Sequence, residues 1–130
     1  MVLQQLYAYL IHLLAGLAVV GVFVAIYLQV TPFREIKLIC DGGTAAALSL
    51  AGATLGFALT VASSILHNDT FLTFLFWAAC SAVVQVAAYA FVSRLLPAFN
   101  AALENNNVAM GGLMGVVSLT VGIINAAALS

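Results

Sequence analysis

The sequence predicts an all-α polytopic membrane protein, with four transmembrane helices arranged as two parallel helical-hairpin repeats. Three observations predict it. Of 130 residues, 65% are hydrophobic and only 5% are charged, against about a quarter charged in an ordinary soluble domain, and a water-soluble fold of this size could not hide so much apolar surface. The apolar residues also fall into runs about as long as the ~20 residues that cross a ~30 Å hydrocarbon core. Finally, the two halves of the chain follow the same order of span, proline-containing connector and small-residue-striped span.

The first span is expected over Leu6 to Gln29, with His12 its one ionisable interior residue. The preceding MVLQQ lacks the basic opening of a secretory signal, so the run is expected to stay as an anchor. Thr31 and Pro32 stop it, Pro standing where a new helix can begin without its missing N–H. FREIKLIC then reads as a short interfacial helix, with Phe33, Ile36 and Ile39 or Cys40 on one side and Arg34, Glu35, Lys37 and Asp41 largely elsewhere. Gly42 and Gly43 turn the chain into the second span.

That second span, Thr44 to Leu66, has no charged residue and carries Ala45, Ser49, Gly52, Gly56 and Ser63 at helical spacing. In lipid such a narrow stripe, including a GxxxG pair, lets a second backbone approach closely. The link His67 to Thr70 is short enough to make the second and third spans antiparallel neighbours. Phe71 to Leu95 is the third span, opening on Phe71, Phe74, Phe76 and Trp77 and ending at Arg94, which can reach the headgroups. Pro97 closes it. The connector ends in Asn105, Asn106 and Asn107, residues that suit a turn and a helix cap. Val108 to Leu129 is the fourth span, striped by Gly111, Gly115, Ser118, Gly122 and Ala126.

A shift of 66 sets Ala45, Ser49, Gly52 and Gly56 on Gly111, Gly115, Ser118 and Gly122, while the two prolines match at 65. The chain, 1–130, therefore reads as one transmembrane domain duplicated from a hairpin, with repeats at 6–66 and 71–129. Each unit holds two spans, so the copies enter the membrane from the same side. Arg34, Lys37 and Arg94 all fall at the proline-containing connectors, which places these in the cytoplasm and both termini in the periplasm.

With these features in view, TPFREIKLICDGGTAAALSLAGATLGF and NNVAMGGLMG make the chain resemble the bacterial inner-membrane proteins grouped as domain of unknown function 350, the YjfL-like family. The likeness covers essentially the whole chain. Its most specific parts are Gly43-Thr44-Ala45-Ala46 and Asn107-Val108-Ala109-Met110, each following a polar turn, together with Gln85 and Tyr89. It implies a multi-pass inner-membrane protein and carries over no enzymatic mechanism.

Few residues invite chemistry. His12, Ser63, Ser64 and Asn125 share the outer half of the bundle with Thr73 nearby, and could form a polar cluster or simply interhelical hydrogen bonds. Gln85, mid-span, must face protein or water, as a structural bond or a conduit lining. His67 and Asp69 with His12 make a weak metal pattern, and Cys40 and Cys80 have no CxxC spacing and read as free thiols. Glu35, Asp41, Asp69 and Glu104 all lie in connectors, which weighs against a proton-driven rotor or exporter. With three basic residues a nucleic-acid footprint is excluded. No phosphate-loop, zinc-protease or serine-hydrolase motif is present, so neither an enzyme nor a cofactor is expected. The expected function is a self-associating membrane scaffold or accessory subunit, with the lipid bilayer and a homo-oligomer or larger membrane complex as its partners. The alternative is a small channel or transporter subunit whose conduit is lined by Gln85, His12 and Asn125.

Overall fold

The computed structural model describes residues 1–31, 34–68, 70–96 and 98–129, with helices joined by turns and short irregular links and no strand among them. The expectations placed on Pro32, Phe33, Asp69 and Pro97 lie outside the described residues. Six helices follow in order: α1 Val2–Val30, α2 Glu35–Cys40, α3 Thr44–His67, α4 Phe71–Leu95, α5 Phe99–Glu104 and α6 Val108–Ala128. The four long ones are each long and apolar enough to span a membrane. The first begins four residues earlier than the expected Leu6, because nothing in MVLQQ terminates a helix.

α3 is the centre of the bundle, with eleven buried residues against three in α1. Phe23 of α1 stacks on Phe57 at 4.3 Å, and Gly16 lies opposite Val61 and Ile65, so α1 runs antiparallel to α3. α4 does likewise, since Ser64 meets Phe74 and Gly56 meets Gln85. α6, by contrast, runs parallel to α3: Ala45 faces Gly111, Gly52 faces Gly115, Gly56 faces Gly122 and Ser63 faces Ala126. Both termini therefore lie at one end of the bundle and α2 and α5 at the other.

The small-residue stripes of α3 and α6 meet along this parallel seam. A methyl group on Gly52 would overlap the backbone of Gly115, one on Gly111 that of Ala45, and one on Gly122 that of Gly56. At Gly56 it would stand 2.6 Å from the Ser118 carbonyl oxygen, and Gly115 is similarly hard against Leu48. Only glycine permits so close an approach, and the dispersion contacts it gathers substitute for the hydrophobic drive that lipid removes.

The short helices end alike. The Asp41, Gly42 and Gly43 amides donate to the carbonyls of Lys37, Ile39 and Leu38, and those of Asn105, Asn106 and Asn107 to Ala101, Leu103 and Ala102. These turns match at a shift of 64, not the 66 that aligns the stripes. Both need a left-handed residue, Gly42 at φ 89° and Asn106 at φ 59°. Asn107 caps α6 by accepting from the Met110 amide, as its residue type led one to expect. Asn106 accepts from the Ala45 amide at 3.0 Å and so caps α3 across the seam. Asn106→Ala should lose this cap and the left-handed preference together, lowering stability by about 1–2 kcal/mol; Asn106→Gly keeps the left-handed backbone and loses only the cap, so it should cost less, and an Asn106→Gly variant that melts like wild type would contradict the cap.

Candidate functional site

Tyr27 in the last turn of α1, Glu35 at the start of α2, Ser49 in α3 and Tyr89 near the end of α4 converge at the connector end. The rings of Tyr27 and Tyr89 meet edge-on at 5.4 Å, and Phe99 flanks Tyr89 at 6.2 Å. The Tyr89 hydroxyl donates to Asn100 Oδ1. Glu35 faces both tyrosines, and the Tyr27 hydroxyl lies beside Ser49. Among the described residues, both Glu35 carboxylate oxygens are buried without a hydrogen-bond partner, and the buried Tyr27 hydroxyl and Ser49 Oγ have no partner beyond each other. Glu35 is only 1% exposed. Burial disfavours its charged form and pushes its carboxyl up from 4.5 to about 7.

The placement of Glu35 corrects the sequence-based expectation for α2. Its buried face carries Glu35, with Leu38 and Ile39 half-buried, whereas Ile36, Lys37 and Cys40 are exposed. The cause is docking against α3 at the bundle end, with residues 35 and 39 turned inward. Phe99 and Leu103, their matches in α5 at the shift of 64, are also turned inward. A carboxylate thus stands where the second half has phenylalanine. It belongs to a connector in sequence and to the bundle interior in space.

Gln85, one turn before Tyr89, lies deeper on the same face. Its Nε2 donates to the Ser118 carbonyl at 3.3 Å, in space that a side chain at Gly56 would take. Its Oε1 and Ser118 Oγ are buried without partners. Beyond it Thr60 donates to the carbonyls of Gly56 and Gly122.

In the other half, the hydroxyl and imidazole groups expected to cluster bond to backbone carbonyls. Ser63 donates to the Ala126 carbonyl at 2.6 Å and Ser64 to that of Phe74 at 3.2 Å, while His67 Nδ1 donates back to the Ser63 carbonyl. Asn125, next to Ala126, keeps a buried Nδ2 without a partner. His12 donates from Nδ1 to the Ala8 carbonyl of its own helix at 2.8 Å, and Thr73 pairs with Thr70. No group of three or more His, Cys, Asp or Glu side chains is arranged to hold a metal among the described residues. Cys40 and Cys80 are free thiols.

The family model for Domain of Unknown Function (DUF350) matches residues 1–129. The chain belongs to the DUF350 family. Within it, the chain is similar to UPF0719 inner membrane protein YjfL of Escherichia coli strain K12, 32% identical over 129 residues that cover 99% of this chain and 98% of the relative. The protein of the same name from Escherichia coli O157:H7 shows the same identity and coverage. No solved structure matches the chain significantly. For this DUF350 member, sequence reasoning singled out Gln85 and Tyr89, named Ser49 and Ser118 only as members of the small-residue stripes, and missed the polar interior roles of Glu35 and Tyr27. The signal that could have found Glu35 is alignment of the two connectors at 64, which sets it on Phe99.

Proposed function

We propose that the chain is a self-associating, non-enzymatic accessory or scaffold subunit of the bacterial inner membrane. The observation that carries this reading is the closed seam. Backbone packs on backbone from Ala45 and Gly111 to Gly56 and Gly122, so the polar groups along it face helix instead of an open lumen. A conduit lined by Gln85, His12 and Asn125 has little to support it, because the His12 ring bonds its own helix and Gln85 donates across the seam to Ser118.

Self-association is supported by α1. Only Gly16, Phe23 and Tyr27 of its residues are buried. Gly21, with nothing within 4 Å of where a Cβ would stand, and Ala25 one turn on are exposed. On another face of the same helix, an apolar groove of about 690 Å³ runs between α1 and α4, lined from α1 by Ala18, Val22 and Ile26, floored by Phe57 and bounded by small residues such as Ala78 and Ala82. In a bilayer, exposed small residues one turn apart favour helix pairing, and the occupant we assign is α1 of a second copy. The matching turns of α2 and α5 support duplication of a long–short–long unit with both copies in the same orientation. The cations at the α2 and α4 ends support a cytoplasmic position for the connectors and a periplasmic one for the termini.

Mass measurement in lipid nanodiscs, with ion flux measured in proteoliposomes, tests the reading. Wild type should be oligomeric and leave vesicles ion-tight, and Gly21→Leu should be folded but monomeric. A monomeric wild type, or selective ion leak through it, would remove the proposal. In Cys80→Ser cells, the native exposed Cys40 should resist an impermeant thiol reagent while a cysteine placed at Asn68 reacts; the opposite pattern would invert the orientation.

A further inference from the structure

We propose that the connector end of the bundle holds one monovalent alkali cation, bound by the Glu35 carboxylate with the hydroxyls of Tyr27 and Ser49 as neutral ligands, in exchange for a proton. This goes beyond the scaffold reading and does not depend on it, because the site lies within a single chain.

The unsatisfied atoms select the ligand. Tyr27 Oη, Glu35 Oε1, Glu35 Oε2 and Ser49 Oγ are all oxygens and buried, and apart from the Tyr27 and Ser49 hydroxyls, which lie side by side, none has a neighbour to bond. Hard oxygen donors suit hard cations and not soft metals. Charge then selects the valence. The side chain has no ion-pair partner, since Lys37 and Arg94 are exposed and both Glu35 oxygens are free. One carboxylate neutralises one positive charge; a divalent ion would leave a net charge in a medium where charge is costly. The titratable groups that face Glu35 are Tyr27 from α1 and Tyr89 from α4, and α3 offers the uncharged Ser49.

The second half of the chain serves as an internal control. At the matching position α5 buries Phe99, so this docking geometry accepts an apolar side chain. A carboxylate there costs stability unless something satisfies it. A proton on Glu35 removes the charge but adds only one hydrogen-bond donor, whereas a cation would draw on the lone pairs of the carboxylate and of the neighbouring hydroxyls together. Binding at neutral pH therefore releases the carboxyl proton to solvent and places the cation between the same oxygens. Tyr89, tied to Asn100, packs beside Tyr27 and helps close the site.

The test is equilibrium binding of radiolabelled Na⁺ to the full chain in lipid nanodiscs, with choline replacing alkali ions in the control. At pH 8 wild type should bind one Na⁺ per chain, displaced by Li⁺ or K⁺ but not by equimolar Mg²⁺ or Ca²⁺, and affinity should fall at least tenfold at pH 5.5. Unbuffered protein at pH 7 should release protons when NaCl is added, but not with choline chloride. Glu35→Gln should lose binding at least a hundredfold while melting at or above the wild-type temperature, and Ser49→Ala should weaken it several-fold. Should Glu35→Gln not fold, Glu35→Leu, closer to the apolar Phe99, takes its place. Retained Na⁺ binding in the Glu35 variant, tighter binding of a divalent ion, or a wild type that responds to pH but to no alkali ion would each overturn the proposal, the last by leaving the site a proton acceptor only.

Discussion

Alanine at Gly111 should destabilise the bundle by about 3 kcal/mol or more, while alanine at the next residue, Gly112, should change it by less than about 1 kcal/mol. The two positions are adjacent in sequence and share a helix, so helix propensity alone cannot separate them. What separates them is what the new methyl group meets. At Gly111 it would overlap the Ala45 backbone, which cannot rotate aside, so α3 and α6 must part and lose contacts along the whole seam. At Gly112 the nearest atom is the end of the Leu48 side chain at 3.9 Å, an ordinary contact. Gly52→Ala and Gly122→Ala should behave like Gly111→Ala, and Leu59→Ile, of equal volume, like Gly112→Ala. Thermal melting in mild detergent decides it. Indistinguishable melting of the Gly111 and Gly112 variants would mean that the seam is looser than its backbone contacts require.

In choline buffer free of alkali ions, wild type should be less stable at pH 8 than at pH 5, and Glu35→Gln should show no such difference. The Glu35 carboxyl is raised from 4.5 to about 7 by burial. A raised acid favours the protonated folded state, so its contribution is fully present below about pH 4.5 and is lost as pH rises through 7. At about 1.4 kcal/mol per pH unit, the loss amounts to about 3 kcal/mol. Replacing the acid by a neutral amide of the same shape removes the titrating group and flattens the profile. Adding NaCl at pH 8 should restore most of the lost stability, as mass action requires of a ligand that binds only the folded form. A wild-type profile as flat as that of Glu35→Gln would place the carboxyl in contact with water.

The four spans were legible because the bilayer imposes a length and an apolar composition that few other structures share, and the runs ending near Gln29, Leu66, Leu95 and Leu129 meet both. The glycine stripes were legible as residue types at helical spacing, and so was the cap at Asn107. Which surfaces those stripes would meet was not legible, since a stripe has no address. Only the packed structure set Gly52 and Gly56 against Gly115 and Gly122 of the same chain, leaving α1 as the lightly packed helix. The polar interior was the least legible part. His12 drew attention as an ionisable residue within a span, yet it bonds its own helix, whereas Glu35, beside Arg34 and Lys37, reads like any solvated connector charge. Six residues are too few for a periodicity that tells an inward face from an outward one, and the orientation of α2 is set by its docking on α3 and by tyrosines some eight residues before and fifty-four after it. Hydropathy and spacing act along the chain and so declare the spans; the burial of one carboxylate is decided by contacts across it, which no local pattern encodes.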